Sequence, residues 1–125
     1  MMNHAALTLL IAGLLPIICA GIAKWGAKRY DNHNPREWMA NLDGRRARAD
    51  AAQKNSFEAF PFFAVGMILA LMSDAEDVDI AFWGWMFVLM RVVYIYCYIT
   101  DKATLRSIFW TLGLAVVIRL FALAI

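Results

Sequence analysis

The run Arg48-Ala-Asp-Ala-Ala-Gln-Lys-Asn-Ser-Phe-Glu-Ala-Phe-Pro-Phe-Phe63 decides how this chain is read, because it leads a polar stripe straight into an apolar segment that continues to Met72. A charged side chain at the centre of a bilayer helix costs about 2.5 to 3.5 kcal/mol on insertion scales. Glu58 is therefore expected near an interface, inside a bundle, or both, and a buried polar site follows. At about 100° per residue, Arg48, Asn55 and Glu58 fall within roughly 80° of one another. Phe57, Phe60 and Met67 spread over the other faces. Pro61 has no backbone N–H to donate, so a kink or a freed carbonyl is expected beside the polar stripe.

Composition sets the class. Of 125 residues, 62% are hydrophobic, 14% aromatic and only 18% charged, well above the apolar share of a soluble domain, roughly 45 to 50%. The chain reads as an all-α integral membrane protein, one domain over residues 1–125. A net charge of +2 is too small to imply nucleic acid, and the basic residues gather in loops beside apolar runs. The first apolar run lacks a preceding basic region and a small-residue cleavage motif, so it is expected to be a retained helix.

Working outward, Ala5 to Ala23 is apolar apart from Thr8 and long enough to span a hydrocarbon core of about 30 Å. It extends to about residue 27, where Lys24, Lys28 and Arg29 close it. Asp31-Asn-His-Asn-Pro35 breaks the pattern, and a polar loop runs to about Gly44. Helix two is expected over 45–72, polar at first and apolar from Phe57. An acidic link, Ser73 to Asp79, leads to helix three, 79–100, interrupted by Arg91. A brief turn precedes helix four, 105–125, interrupted by Arg119, to which no role is assigned. The expectation is a four-helix transmembrane bundle.

Basic residues crowd Lys24 to Lys54, and Lys102 and Arg106 mark the third loop; the second loop and both termini have none. The positive-inside rule then makes loops one and three cytoplasmic and puts both termini on the opposite side. Trp25, Trp38, Trp83, Trp85 and Trp110 lie mostly near predicted helix ends, as interfacial aromatics do. Cys19 and Cys97 match no metal spacing and read as small buried hydrophobes; His4 and His33 are isolated, so no metal site is expected.

With that topology the polar residues of three helices meet at one level. Arg91, Tyr94 and Tyr98 are spaced i, i+3, i+7 on one face. Arg106 and Ser107 open helix four, where free N–H groups and the positive end of the dipole favour an anion. Arg48, Lys54, Arg91 and Arg106, with Asn55, Glu58, two phenols and a hydroxyl, suit a small, polar, multiply charged anion, since guanidinium forks match carboxylates. A thiol pKa of about 8.5 falls by two units for about 2.7 kcal/mol, within reach of one partly desolvated arginine plus one hydrogen bond. Plainer readings stand beside this. Glu58 and Arg91 would neutralise each other as a structural pair, Arg45, Arg46 and Lys54 would anchor anionic lipid, and Tyr94 and Tyr98 would be belt aromatics.

Taken together, Asn34-Pro35, Arg48-Ala49, Asn55-x-x-Glu58-x-x-Pro61-Phe62, Arg91-x-x-Tyr94-x-x-x-Tyr98 and Leu105-Arg106-Ser107 resemble the MAPEG family, membrane-associated proteins in eicosanoid and glutathione metabolism. The resemblance implies a four-helix membrane bundle assembled as a homotrimer, with glutathione bound between neighbouring subunits toward the cytosolic side. It implies that Asn55, Glu58, Arg91, Tyr94 and Tyr98 hold glutathione, that Arg106 and Ser107 lie near the sulfur, and that Arg106 stabilises the thiolate. Lys54 matches a position that is basic in some members. Where glutathione-using members carry an arginine four residues before the asparagine, this chain has Ala51, with Arg48 a turn further back.

The expected function is a glutathione-dependent membrane transferase or peroxidase acting on lipophilic electrophiles or hydroperoxides that enter from the bilayer. The compact form suggests a bacterial inner membrane. The alternative is a non-catalytic protein of the same fold that binds a lipid or a protein partner. A small four-helix exporter would need an acidic residue in its first helix, and Ala5 to Ala23 has none.

Overall fold

The computed structural model describes residues 2–125. Its helices are α1 (Met2–Lys24), α2 (Pro35–Ala40), α3 (Gly44–Leu71), α4 (Asp77–Ile99) and α5 (Ala103–Ala124). No strand occurs among the described residues. α1, α4 and α5 are each long and apolar enough to cross a membrane. α3, with 28 residues, spans about 42 Å at 1.5 Å per residue, but its first half is polar. The connection after α1 is not all loop: Asn34 and Pro35 start a short helix, since proline at the first helical position has φ preset and needs no N–H there.

The long helices form an antiparallel bundle in which α3 and α4 occupy the middle. α1 packs on both of them from one side and α5 from the other. The lower core is aromatic and aliphatic: Phe63 of α3 stacks on Phe87 of α4 at 3.9 Å between ring centroids and 10° between planes, with Met67, Ile80 and Leu120 fully buried around them. A second cluster higher up joins Leu15, Cys19 and Ala23 of α1 to Ala49 and Ala52 of α3 and to Tyr94, Ile95 and Ile99 of α4. Cys19 and Cys97 are both buried and unpaired.

Gly84 marks the closest approach of three helices. A Cβ there would stand 2.6 Å from Met67 Cε and 2.9 Å from Thr8 Oγ1. The methionine tip can swing aside, whereas Thr8 is fully buried and its hydroxyl donates to the Ala5 carbonyl at 2.9 Å. Gly84→Ala is therefore expected to destabilise the bundle by about 1 to 3 kcal/mol, as overpacking does, read as a lower midpoint in thermal unfolding of the detergent-purified protein. A midpoint equal to the parent's would mean that α1 moves away from α4 without loss.

The upper end is tied by arginines of the first α3 turns. Arg46 donates to the Ala23 carbonyl at 2.7 Å, and Arg48 Nε donates to the Ile99 carbonyl at 3.1 Å. Each places a cation on the negative end of a neighbouring helix, where unsatisfied carbonyls and the macrodipole favour it. α4 ends in a Schellman turn. The Lys102 N–H reaches the Cys97 carbonyl at 2.8 Å and the Asp101 N–H the Tyr98 carbonyl at 3.1 Å. Asp101 takes the left-handed conformation, φ 61°, which aspartate tolerates better than most side chains. That tight reversal brings the start of α5 back against Tyr98.

At the other end, Trp85 Nε1 donates to His4 Nδ1 at 3.1 Å, and Ser73 Oγ donates to the Ala70 carbonyl at 2.7 Å and lies 3.3 Å from that of Leu123. Arg119 is exposed, its guanidinium 5.9 Å from the Trp83 ring centre.

Candidate functional site

α3, α4 and α5 diverge just above the Phe63–Phe87 stack and leave a cleft of about 210 Å³. Asn55, Glu58, Ala59 and Phe62 line it from α3, Phe87 and Arg91 from α4, and Trp110, Gly113, Leu114 and Val117 from α5. Arg91 lies eight residues before the end of α4, about 12 Å along the axis at 1.5 Å per residue. The polar wall therefore sits inside the apolar length of the bundle, and not at its end.

Arg91 is 3% exposed. Its Nη2 donates to Ser56 Oγ at 3.0 Å, and its guanidinium lies 4.2 Å from the centre of the Tyr94 ring. Among the described residues no carboxylate forms an ion pair with it. Glu58 does not neutralise it; Glu58 is exposed at the rim of the cleft. A hydroxyl and a π-face satisfy part of a guanidinium's donor set, but they carry no compensating charge. Beside it, Asn55 Oδ1 is buried with no hydrogen-bond partner among the described residues. An unbalanced buried cation and an orphan acceptor on one wall are what an anionic ligand with N–H groups would complete.

From Arg91 a ladder of rings and guanidinium groups climbs to the start of α5. The Tyr94 ring meets Tyr98 edge-on, centroids 5.8 Å apart at 86°. Arg106 closes the ladder with its guanidinium 4.4 Å from the Tyr98 ring centre. Spacing of i, i+3 and i+7 on α4 accounts for the first three members, and the Schellman turn supplies the fourth. Tyr94 is buried, Tyr98 and Arg106 half-buried, so the ladder runs from a dry end to a wet one.

The other residues singled out from the sequence point elsewhere. Arg48 is held at the end of α4 and lines a separate groove between α1 and α4. It does not stand in for the arginine missing at Ala51 within this cleft. Lys54 is exposed and paired with Asp50 at 2.9 Å, in a second cleft of about 400 Å³ lined also by Lys24, Arg36, Gln53 and Phe57. Ser107 is exposed and lines a shallow face of α5 together with Arg106, Thr104 and Ile108, outside the cleft of Arg91, and its carbonyl accepts from Thr111 Oγ1 at 2.9 Å.

Sequence reasoning missed Ser56, the actual partner of Arg91. Its signal was its place between Asn55 and Phe57 in the polar stripe, yet wheel geometry alone turns it toward the core, where serine reads as a small filler. Trp110, expected as an interfacial aromatic, is exposed seven residues inside α5 and also walls the cleft.

The family model described as the MAPEG family matches residues 4–125. No curated protein matches the chain.

Proposed function

Since the chain belongs to the MAPEG family and is an integral membrane protein, we propose that it is a glutathione-dependent transferase or peroxidase acting on lipophilic electrophiles or hydroperoxides. One observation carries this: among the described residues Arg91 is buried with no carboxylate in ion-pair contact, and it shares a cleft with Asn55 Oδ1, which has no hydrogen-bond partner among them. Glutathione has carboxylates for the first and N–H groups for the second, so the residues present fit it.

In this reading α3 is the fourth membrane span, and the bundle works as a homotrimer in a bacterial inner membrane, with α1 and α4 ending on the cytoplasmic side. A cleft of about 210 Å³ is below the usual ligand-pocket range of about 300 to 1,000 Å³. A neighbouring copy would complete it, and the cleft lined by Lys24, Arg36, Gln53 and Lys54 offers further cations and a second amide beside those of Arg91 and Asn55. Arg91 and Asn55 anchor the tripeptide's polar backbone, Glu58 takes its ammonium, and Tyr94 and Tyr98 flank it. Arg106 holds the sulfur as thiolate, with the Ser107 hydroxyl as a second donor. Bound there, glutathione supplies the nucleophile that attacks carbon in a conjugation or oxygen in a peroxide. The shallow face of α5 beside Arg106, lined by Ile108, Thr111 and Leu112, opens toward lipid and admits an apolar substrate.

Calorimetric titration of the detergent-purified protein with glutathione, with thiolate absorbance followed on the same sample, tests this. Saturable binding with a thiolate signal is expected, and no binding at millimolar glutathione would overturn it. Ala51 and the diverted Arg48 favour a second reading, a non-catalytic member that holds a lipid or protein partner in the same cleft. Binding of glutathione together with conjugation above the uncatalysed rate would refute that.

A further inference from the structure

A groove of about 770 Å³ runs down the opposite side of the bundle between α1 and α4. Leu15, Ile18 and Ile22 form one wall and Val92, Ile95 and Ile99 the other. The first and last residue of each wall are seven positions apart, about 10 Å of helix at 1.5 Å per residue. The groove is apolar along this length and changes character only at its upper mouth, where Arg45 and Arg48 line it together with Tyr96 and Thr100. Lys102 adds a third cation, its ammonium 5.0 Å from the Tyr96 ring centre. Asp43 and Asp101 are the carboxylates in the adjoining loops, and neither forms an ion pair with these cations among the described residues.

From this arrangement we infer that the α1/α4 groove is a binding site for one anionic phospholipid. An acyl chain lies against Ile18, Ile95 and Ile99, and the phosphate meets Arg45 and Arg48 at the end where α1 and α4 leave the membrane. Charge chooses this occupant. The apolar length alone would serve any hydrocarbon or a second copy, but two guanidinium groups at headgroup depth match a phosphate, and basic residues at that level are the usual device for anionic lipid. Arg48 is also preoriented, because Nε is committed to the Ile99 carbonyl and the remaining N–H groups form a fixed fork. The phosphate would neutralise cations gathered beside the carboxyl end of α4, tying α1, α3 and α4 together from outside.

Native mass spectrometry of the detergent-purified protein, titrated with phosphatidylglycerol or phosphatidylcholine, reads the number of lipids retained per chain. One tightly held phosphatidylglycerol and no comparable phosphatidylcholine are expected. Arg45→Ala should weaken its retention about fivefold, the worth of one basic residue near a charged headgroup, and Ile18→Trp should reduce it by filling the groove. Arg29→Ala, which removes an exposed cation away from the groove, should leave it unchanged. Equal losses in Arg45→Ala and Arg29→Ala would reduce the effect to diffuse surface charge and overturn the site. Unaltered lipid in Ile18→Trp, with the oligomer dissociated instead, would make the groove a contact between copies and overturn it too.

Discussion

An Arg91→Met variant is expected to fold at least as stably as the parent and to lose glutathione affinity by about a hundredfold or more. The two effects have opposite signs because Arg91 is a buried cation in contact with a hydroxyl and an aromatic face, and among the described residues no carboxylate forms an ion pair with it. Desolvation of such a group works against folding, and apolar replacements of buried charges are often neutral or stabilising by about 1 to 4 kcal/mol. Ser56, left without its partner, can turn its hydroxyl to a carbonyl of its own helix. Binding responds the other way. Removing one partner of a desolvated, hydrogen-bonded charge pair costs about 2 to 5 kcal/mol, and each 1.4 kcal/mol is roughly tenfold in affinity. Thermal unfolding without ligand and calorimetry with glutathione give the two numbers on one sample. A variant that loses stability and keeps its affinity would make Arg91 a packing residue.

The second large effect belongs to Arg106. Arg106→Ala is expected to lower the rate of glutathione conjugation about a hundred- to a thousandfold, the usual consequence of removing a preorganised donor to a developing or resident negative charge. Affinity for glutathione should change far less, because in the proposed pose the carboxylates meet Arg91, seven residues or about two turns below Tyr98. The thiolate absorbance should vanish at neutral pH, since two pKa units of stabilisation, about 2.7 kcal/mol, keep the sulfur ionised. Folding should survive, as the side chain is half-buried and its recorded contact is the exposed side of the ladder at Tyr98. Tyr98→Leu is a useful companion. It frees the guanidinium without removing it, so a smaller loss of rate with the thiolate signal retained would separate orientation from charge. Full activity in Arg106→Ala would remove this mechanism.

Much of the architecture was legible because membranes restrict what a chain can do. Runs such as Ala5 to Ala23 and Ile80 to Ile99 have to be helices in a bilayer, where every backbone group must be satisfied within its own segment. The helix limits followed within a few residues, and the shared face of Asn55 and Glu58 on α3 followed from their spacing. The short helix at Pro35–Ala40 was overlooked, because its Asn34-Pro35 signal was weighed as a breaker and not as a start.

Sequence alone determined the helix count among the long elements, the membrane class and the family resemblance. These depend on composition and on angular period, both local properties. Tertiary structure decided which polar groups share a cavity. Arg48, Asn55 and Glu58 lie on one side of a helical wheel, yet Arg48 stands seven residues before Asn55, about 10 Å along the axis, close to the free carbonyl of Ile99. A long cation goes to the nearest unsatisfied acceptor, and no wheel records where a neighbouring helix ends. The same reason hid the pairing of Arg91 with Ser56: an angle places a side chain on a face, but only packed helices say what stands opposite it.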